Sequence, residues 1–170
     1  MKVLGLAGWS GSGKTTLLEA LLPLFRARGL TVSTIKHAHH GFDLDRPGKD
    51  SFRHRAAGAH EVLVVSEARW ALLHENAGAA MDFAALFARL SPVDLVLVEG
   101  FKRAPYPKIE VFRPALGKPP LWPEEPDIVA VASDGVLPGC DRPVLPLDAP
   151  GVIAHWAVQH LGLPAPAQSA

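Results

Sequence analysis

Eight consecutive residues carry the most explicit chemistry in the chain. Gly8-Trp9-Ser10-Gly11-Ser12-Gly13-Lys14-Thr15 satisfies G-x-x-x-x-G-K-[ST], with an apolar run before it and a leucine-rich segment after it. The glycines let consecutive backbone N–H groups turn inward as an anion-binding nest, and a helix starting there adds its positive end. In such a loop Lys14 neutralises β- and γ-phosphate charge and the Thr15 hydroxyl ligates Mg²⁺. Ser10, Gly11, Ser12, Gly13 and Thr16 complete the expected phosphate cradle.

A phosphate loop needs a second carboxylate to hold its metal. Glu99 ends the apolar run Leu95-Val96-Leu97-Val98 and precedes Gly100, so it is expected at the carboxyl end of a parallel strand, facing the same crevice as the loop. There it binds Mg²⁺ through water or aligns an attacking water. Asp94 precedes that strand and belongs at its opposite end. The segment His37-Ala38-His39-His40-Gly41-Phe42-Asp43-Leu44-Asp45 admits several readings. Imidazole and carboxylate suit Ni, Zn or Cu. Beside the phosphates, Asp43 or Asp45 would instead complete the Mg²⁺ shell, with His39 and His40 near anionic oxygens. A solvated polar loop is the plain alternative. Arg46, Lys49, Arg53 and Arg55 follow as a basic cluster, either a solvated face or a site for a second anionic ligand, and Lys102 and Arg103 follow Glu99 closely. Asp134 comes after a late strand, where G proteins use an aspartate to accept hydrogen bonds from N1–H and the exocyclic amine of guanine; an Asp in a Ser-Asp-Gly turn is equally common without a ligand.

The elements that must position these groups alternate. Strands are predicted at 3–7, 30–36, 61–65, 70–74, 95–98, 108–113, 128–132 and 144–147, and helices at 15–28, 51–59, 81–90 and from Pro150 to Leu161. The pattern predicts an α/β fold with a mostly parallel sheet covered by helices on both faces. Pro23 should kink the first helix, Asp50 should cap the second, and Asp148 should cap the last. Residues 108–113 alternate, with Ile109, Val111 and Arg113 on one face, as an exposed or partly paired strand would; 114–126 is expected to be a proline-rich surface loop. One domain over 1–163 with a frayed tail at 164–170 is the expected organisation.

Charge limits the function. Seventeen Lys and Arg balance seventeen Asp and Glu, which argues against polyelectrolyte binding to nucleic acid. The single cysteine, Cys140, can form neither an internal disulfide nor a Cys-x-x-Cys zinc pair, and no apolar stretch approaches the length of a membrane helix. With no secretory pattern at the start, a cytoplasmic location is expected.

Taken jointly, the phosphate loop, Thr34-Ile35-Lys36-His37, Asp45-Arg46-Pro47-Gly48-Lys49-Asp50-Ser51, Arg53-His54-Arg55, Val96-Leu97-Val98-Glu99-Gly100-Phe101-Lys102 and Pro107-Lys108-Ile109-Glu110-Val111-Phe112-Arg113 resemble the MobB family over residues 1–135. The resemblance implies a P-loop NTPase fold of the class shared with nitrogenase iron protein and metallochaperone GTPases. It implies an adaptor that binds GTP and Mg²⁺ with slow hydrolysis in molybdopterin guanine dinucleotide synthesis, with the molybdopterin cofactor as the ligand for the second anionic site. It also implies a homodimer, in which an additional strand or hairpin region is expected to join the copies, and partnership with the guanylyltransferase MobA and molybdoenzymes. A nickel or cobalt chaperone GTPase and a small-molecule kinase are the competing functions; the kinase would need a lid, and none is evident in the sequence.

Overall fold

Unbroken apolar runs punctuated by glycine give the chain its main strands, and leucines at helical spacing give its first helix. The computed structural model describes residues 1–38, 41–76, 78, 81–101 and 104–164. Its strands are β1 (Lys2–Ala7), β2 (Val32–Lys36), β3 (Glu61–Val65), β4 (Trp70–His74), β5 (Leu95–Glu99), β6 (Lys108–Phe112), β7 (Ile128–Ser133) and β8 (Val144–Pro146). Its helices are α1 (Lys14–Arg26), α2 (Asp50–Ala56), α3 (Phe83–Phe87) and α4 (Pro150–Leu161). The chain divides into two compact units, Met1–His37 with Leu90–Ala170, and Ala38–Arg89.

The first unit holds a six-stranded sheet in the order β2-β5-β1-β6-β7-β8, and every pairing is parallel. Leu17, Leu21 and Phe25 of α1 and Ile153, Ala157 and Leu161 of α4 pack with Leu4, Leu6, Leu97, Ile109 and Val111 in one buried cluster. Each such leucine or phenylalanine withdrawn from water contributes about 1.5–3 kcal/mol. Both helices of this unit therefore lie on one face of the sheet. On the opposite face, Ala7, Ile128 and Val131 are covered by Trp122, which also meets Phe112 edge-on at 5.3 Å between ring centres.

Strand β6 departs from the expectation of an exposed or partly paired strand. It lies between β1 and β7 and is buried over Lys108–Val111. The alternation does separate two faces: Ile109 and Val111 join the helix-side core, while Lys108 and Glu110, 1% and 0% exposed, point the other way. What makes those charges tolerable is non-local. The Glu110 carboxylate accepts hydrogen bonds from the backbone N–H groups of Leu121 and Trp122 at 2.9–3.0 Å, and Lys108 Nζ donates to the carbonyls of Ala104 and Tyr106. Burial lowers the Lys108 pKa, and Asp127 at 3.6 Å opposes that shift. The proline-rich segment 114–126 is thus not a simple surface loop; Glu110 anchors its backbone and Trp122 is buried within it.

Helix ends also differ from expectation. Asp50 is the first residue of α2, after Lys49, and no side chain caps that helix; the residue before α4 is Ala149 rather than Asp148. Pro23 lies inside the last turns of α1, which continues to Arg26. The missing proline N–H removes one helical bond there. The third helix is shorter than 81–90 and is capped by Asp82, whose side chain accepts from Ala85 N–H.

In the second unit, β3 and β4 form an antiparallel hairpin, and α2 packs against β3. Glu61 lies opposite His74, with Oε1 2.8 Å from Nδ1. That contact holds the Glu61 pKa below its ordinary value.

Candidate functional site

The turn from β1 into α1 forms because Gly8, Gly11 and Gly13 all adopt positive φ, at 135°, 81° and 98°. At Gly8 the need for glycine is also steric: a Cβ would stand 2.5 Å from the Val111 carbonyl oxygen and 2.9 Å from Ser12 Oγ. Lys14 curls over the loop, with Nζ donating to the carbonyls of Gly8 and Trp9 at 3.0 and 2.8 Å. Ser12 is buried, and its hydroxyl has no hydrogen-bond partner. Ser10, Thr15 and Thr16 are exposed. A glycine-shaped nest, a lysine at its rim and the N-terminus of a long helix together make an anion cradle.

Glu99 lies where its place at the end of a parallel strand predicts. Thr15 Oγ1 donates to Glu99 Oε1 at 2.9 Å, and Lys36 Nζ, from the end of β2, is 3.6 Å from Oε2. Two hard oxygen ligands side by side suit Mg²⁺. The backbone after Glu99 is unusual: Gly100 and Phe101 have φ of 101° and 47°, and Phe101 is the described non-glycine residue with positive φ. The Tyr106 hydroxyl lies 3.2 and 3.3 Å from the Gly100 and Phe101 carbonyls, and the Phe101 ring packs on His37 at 4.5 Å. Burial pushes the Tyr106 pKa up, so the hydroxyl stays a donor. Asp94 sits at the other end of the strand, accepting from Thr31 N–H and Oγ1, as expected.

Asp134 follows β7 and forms an ion pair with Arg113 Nη1, while Arg113 Nε donates to the Ser12 carbonyl at 3.0 Å. A cavity of about 590 Å³ at the ends of β7 and β8 is lined by Ser133, Asp134, Leu145, Pro146 and Asp148 among others. Arg113 was not singled out by sequence as a site residue. The signal was present: the alternation that puts Ile109 and Val111 on the α1 face continues to position 113.

In the second unit Arg55 donates to Asp43, Asp45 and Glu75 at 2.6, 2.9 and 3.0 Å. Asp45 is almost buried, and its Oδ2 has no hydrogen-bond partner. The expected roles for these residues, Asp45 on Mg²⁺ and Arg55 on an anion, thus meet side chains that already engage each other. Arg53 is exposed, with Asp50 at 3.8 Å. The expected anion ligands His39 and His40, and the basic pair Lys102 and Arg103, lie outside the described residues. Among the described residues no group of three His, Cys, Asp or Glu side chains could hold a metal ion, and no helix is long and apolar enough to cross a membrane.

Residues 3–134 match the model of a family described as MobB, molybdopterin guanine dinucleotide synthesis protein B. The chain is 46% identical over 136 residues to a molybdopterin-guanine dinucleotide biosynthesis adapter protein of Escherichia coli, covering 78% of each chain. It is 42% identical to the Haemophilus influenzae protein of the same name over 155 residues, 91% of this chain and 86% of that one. Among solved structures, a MobB homolog from Bacillus stearothermophilus superposes with a TM-score of 0.70 at 27% identity, over 95% of this chain and 99% of that one. Bacillus subtilis MobB does so with a TM-score of 0.72 at 26% identity, over 95% and 98%.

Proposed function

The chain belongs to the MobB family, the adapter proteins of molybdopterin guanine dinucleotide biosynthesis, and we propose that it serves that pathway as a GTP-binding adaptor with Mg²⁺ at Gly8–Thr16. The observation that carries the reading is the phosphate loop itself: three positive-φ glycines, Lys14 over the rim, and Thr15 bonded to Glu99. Lys14 and the loop N–H groups take the phosphates, and Thr15 and Glu99 hold the metal. Mg²⁺ supplies charge neutralisation of the β- and γ-phosphates when bound. Asp134, at the edge of the cavity beyond β7, accepts from the guanine edge, which supports GTP over ATP. Hydrolysis is slow, well below the roughly 1 s⁻¹ floor of ordinary enzymes, because no arginine among the described residues is placed as a finger on the γ-phosphate.

The adaptor role extends to the second unit. Exposed Arg53 serves a second anion, for which the phosphate of molybdopterin is the pathway ligand, while Arg55 braces the segment through its three carboxylates. The hairpin exposes Leu63, Val65, Trp70 and Leu72, and this supports a homodimer in which a second copy covers it. MobA and molybdoenzymes are the partners, and the cytoplasm is the compartment, that such an adaptor requires.

The test is titration of the protein with GTP and Mg²⁺ beside its Lys14→Ala variant, with circular dichroism as the fold control. Triphosphate affinity should fall at least about 100-fold, the loss expected for a charge-assisted contact and its Coulomb attraction. A folded variant with unchanged GTP affinity sinks the assignment.

A further inference from the structure

We infer that Arg113 is a specificity-positioning residue of the nucleotide site: it fixes the Asp134 carboxylate for a guanine edge and ties that carboxylate to the phosphate loop. The inference rests on the GTP reading above. Arg113 leaves β6 on the α1 side of the sheet and reaches two places at once. Its Nε donates to the Ser12 carbonyl at 3.0 Å, its Nη1 pairs with Asp134, and its Nη2 stands 3.5 Å from where a Cβ on Gly13 would lie. With Gly13, Thr16, Leu147 and Pro150 it lines a cavity of about 170 Å³ beside the loop, while Asp134 lines the larger one at the ends of β7 and β8.

Asp134 sits on an exposed turn, where a carboxylate unsupported by a neighbour samples several rotamers. Guanine presents N1–H and a 2-amino group side by side, and a carboxylate must face them squarely to accept both. A carboxylate has about four lone-pair sites, so one oxygen can hold Arg113 and still accept from a base. A planar guanidinium fork is suited to this, because it reaches two acceptors in fixed relative geometry; an ammonium is a point charge and does not. Since the same fork ends on the phosphate loop, the position of the base-reading carboxylate follows the position of Ser12.

The opposite role makes the opposite prediction. If Arg113 merely competed with the base for Asp134, removing it would free the carboxylate and raise guanine preference. The experiment is calorimetric titration of GTP and ATP, each with Mg²⁺, into the full-length protein and its Arg113→Ala and Arg113→Lys variants. Positioning predicts that the GTP-to-ATP affinity ratio falls about tenfold or more in Arg113→Ala, because a misaligned acceptor no longer rewards the right base. ATP affinity itself should change less than about threefold, since the phosphate contacts remain. Arg113→Lys, which keeps the charge and secures a readout should the alanine variant fold poorly, should lose the ratio too. A ratio that is unchanged or higher in folded variants overturns the inference, as does full retention by Arg113→Lys, which would assign the effect to charge alone. Wild-type protein that binds both triphosphates equally overturns it while leaving the phosphate site standing. Wild-type protein that binds neither overturns the GTP reading on which it rests.

Discussion

The two units bury their apolar residues to opposite degrees. In the sheet unit Leu4, Leu6, Leu21, Phe25, Leu97 and Ile109 are all inaccessible, whereas in Ala38–Arg89 the buried hydrophobic among the described residues is Val62. Phe42, Leu44, Leu63, Val65 and Trp70 are each more than half exposed there. A core of that size does little to offset the conformational entropy of ordering residues 38–89, so the smaller unit leans on side-chain contacts such as those of Arg55. The phosphate loop sits on a close-packed scaffold, whereas the hairpin unit keeps its apolar groups outside.

The hardest blow to that contrast is Glu110→Ala. If the sheet unit were held by apolar packing alone, the change would be mild. Because the carboxylate satisfies the N–H groups of Leu121 and Trp122 while itself fully buried, the variant should lose about 3–5 kcal/mol, read as a lower urea midpoint. An unchanged midpoint would show that segment 114–126 does not depend on it.

The hairpin comes next. If a second copy covers the hairpin as proposed, Trp70→Asp should raise the dimer dissociation constant by about 10–100-fold, from the roughly 1.5–3 kcal/mol of a large apolar side chain returned to water. Sedimentation equilibrium reads the shift, and GTP affinity measured on the same samples should not move. A variant that stays dimeric would place the subunit contact elsewhere.

A smaller effect is expected at Arg55. Removing the guanidinium leaves Asp43, Asp45 and Glu75 without their shared cation. Limited proteolysis of Arg55→Ala should cut within 38–89 several-fold faster than wild type while the sheet unit stays intact. Equal cleavage of both units would erase the distinction between them.

The smallest effect is a pH dependence. Hydrogen bonds from the Thr31 side chain, then from its backbone, hold the Asp94 pKa below its ordinary value of 3.8. A depressed carboxylate contributes stability that is complete above its unfolded pKa and disappears as pH falls through the folded one. The stability difference between wild type and Asp94→Asn should therefore be constant above about pH 5 and close below pH 4. A difference that persists at lower pH would assign Thr31 a role independent of charge.

Much of this was legible in the residues. The phosphate loop declared itself because its motif constrains consecutive positions, and the strands at 61–65 and 70–74 because short apolar runs mark them, although their antiparallel pairing with each other was not foreseen. Glu99 was found by its place at a strand end. What escaped depends on contacts distant in sequence. Lys108 and Glu110 read as the outward residues of an exposed strand, since nothing local announces that Leu121 and Trp122 will come back to satisfy Glu110. Arg113's face was legible in the alternation of β6, but its partners were not, because Ser12 lies 101 residues before it and Asp134 lies 21 residues after it.

The strand order β2-β5-β1-β6 also sets a timetable for synthesis. Strands β1 and β2 are made early but are not neighbours; both pair with β5, and β1 otherwise pairs only with β6. At about 5–20 residues per second, the ribosome needs on the order of 3–12 s to go from the end of β2 to the start of β5. During that interval the strand leading into the phosphate loop has no hydrogen-bonded neighbour, while β3 and β4 can already pair with each other. The phosphate loop, encoded first, is therefore assembled late, because the strand leading into it gains its neighbours only once β5 and β6 have emerged.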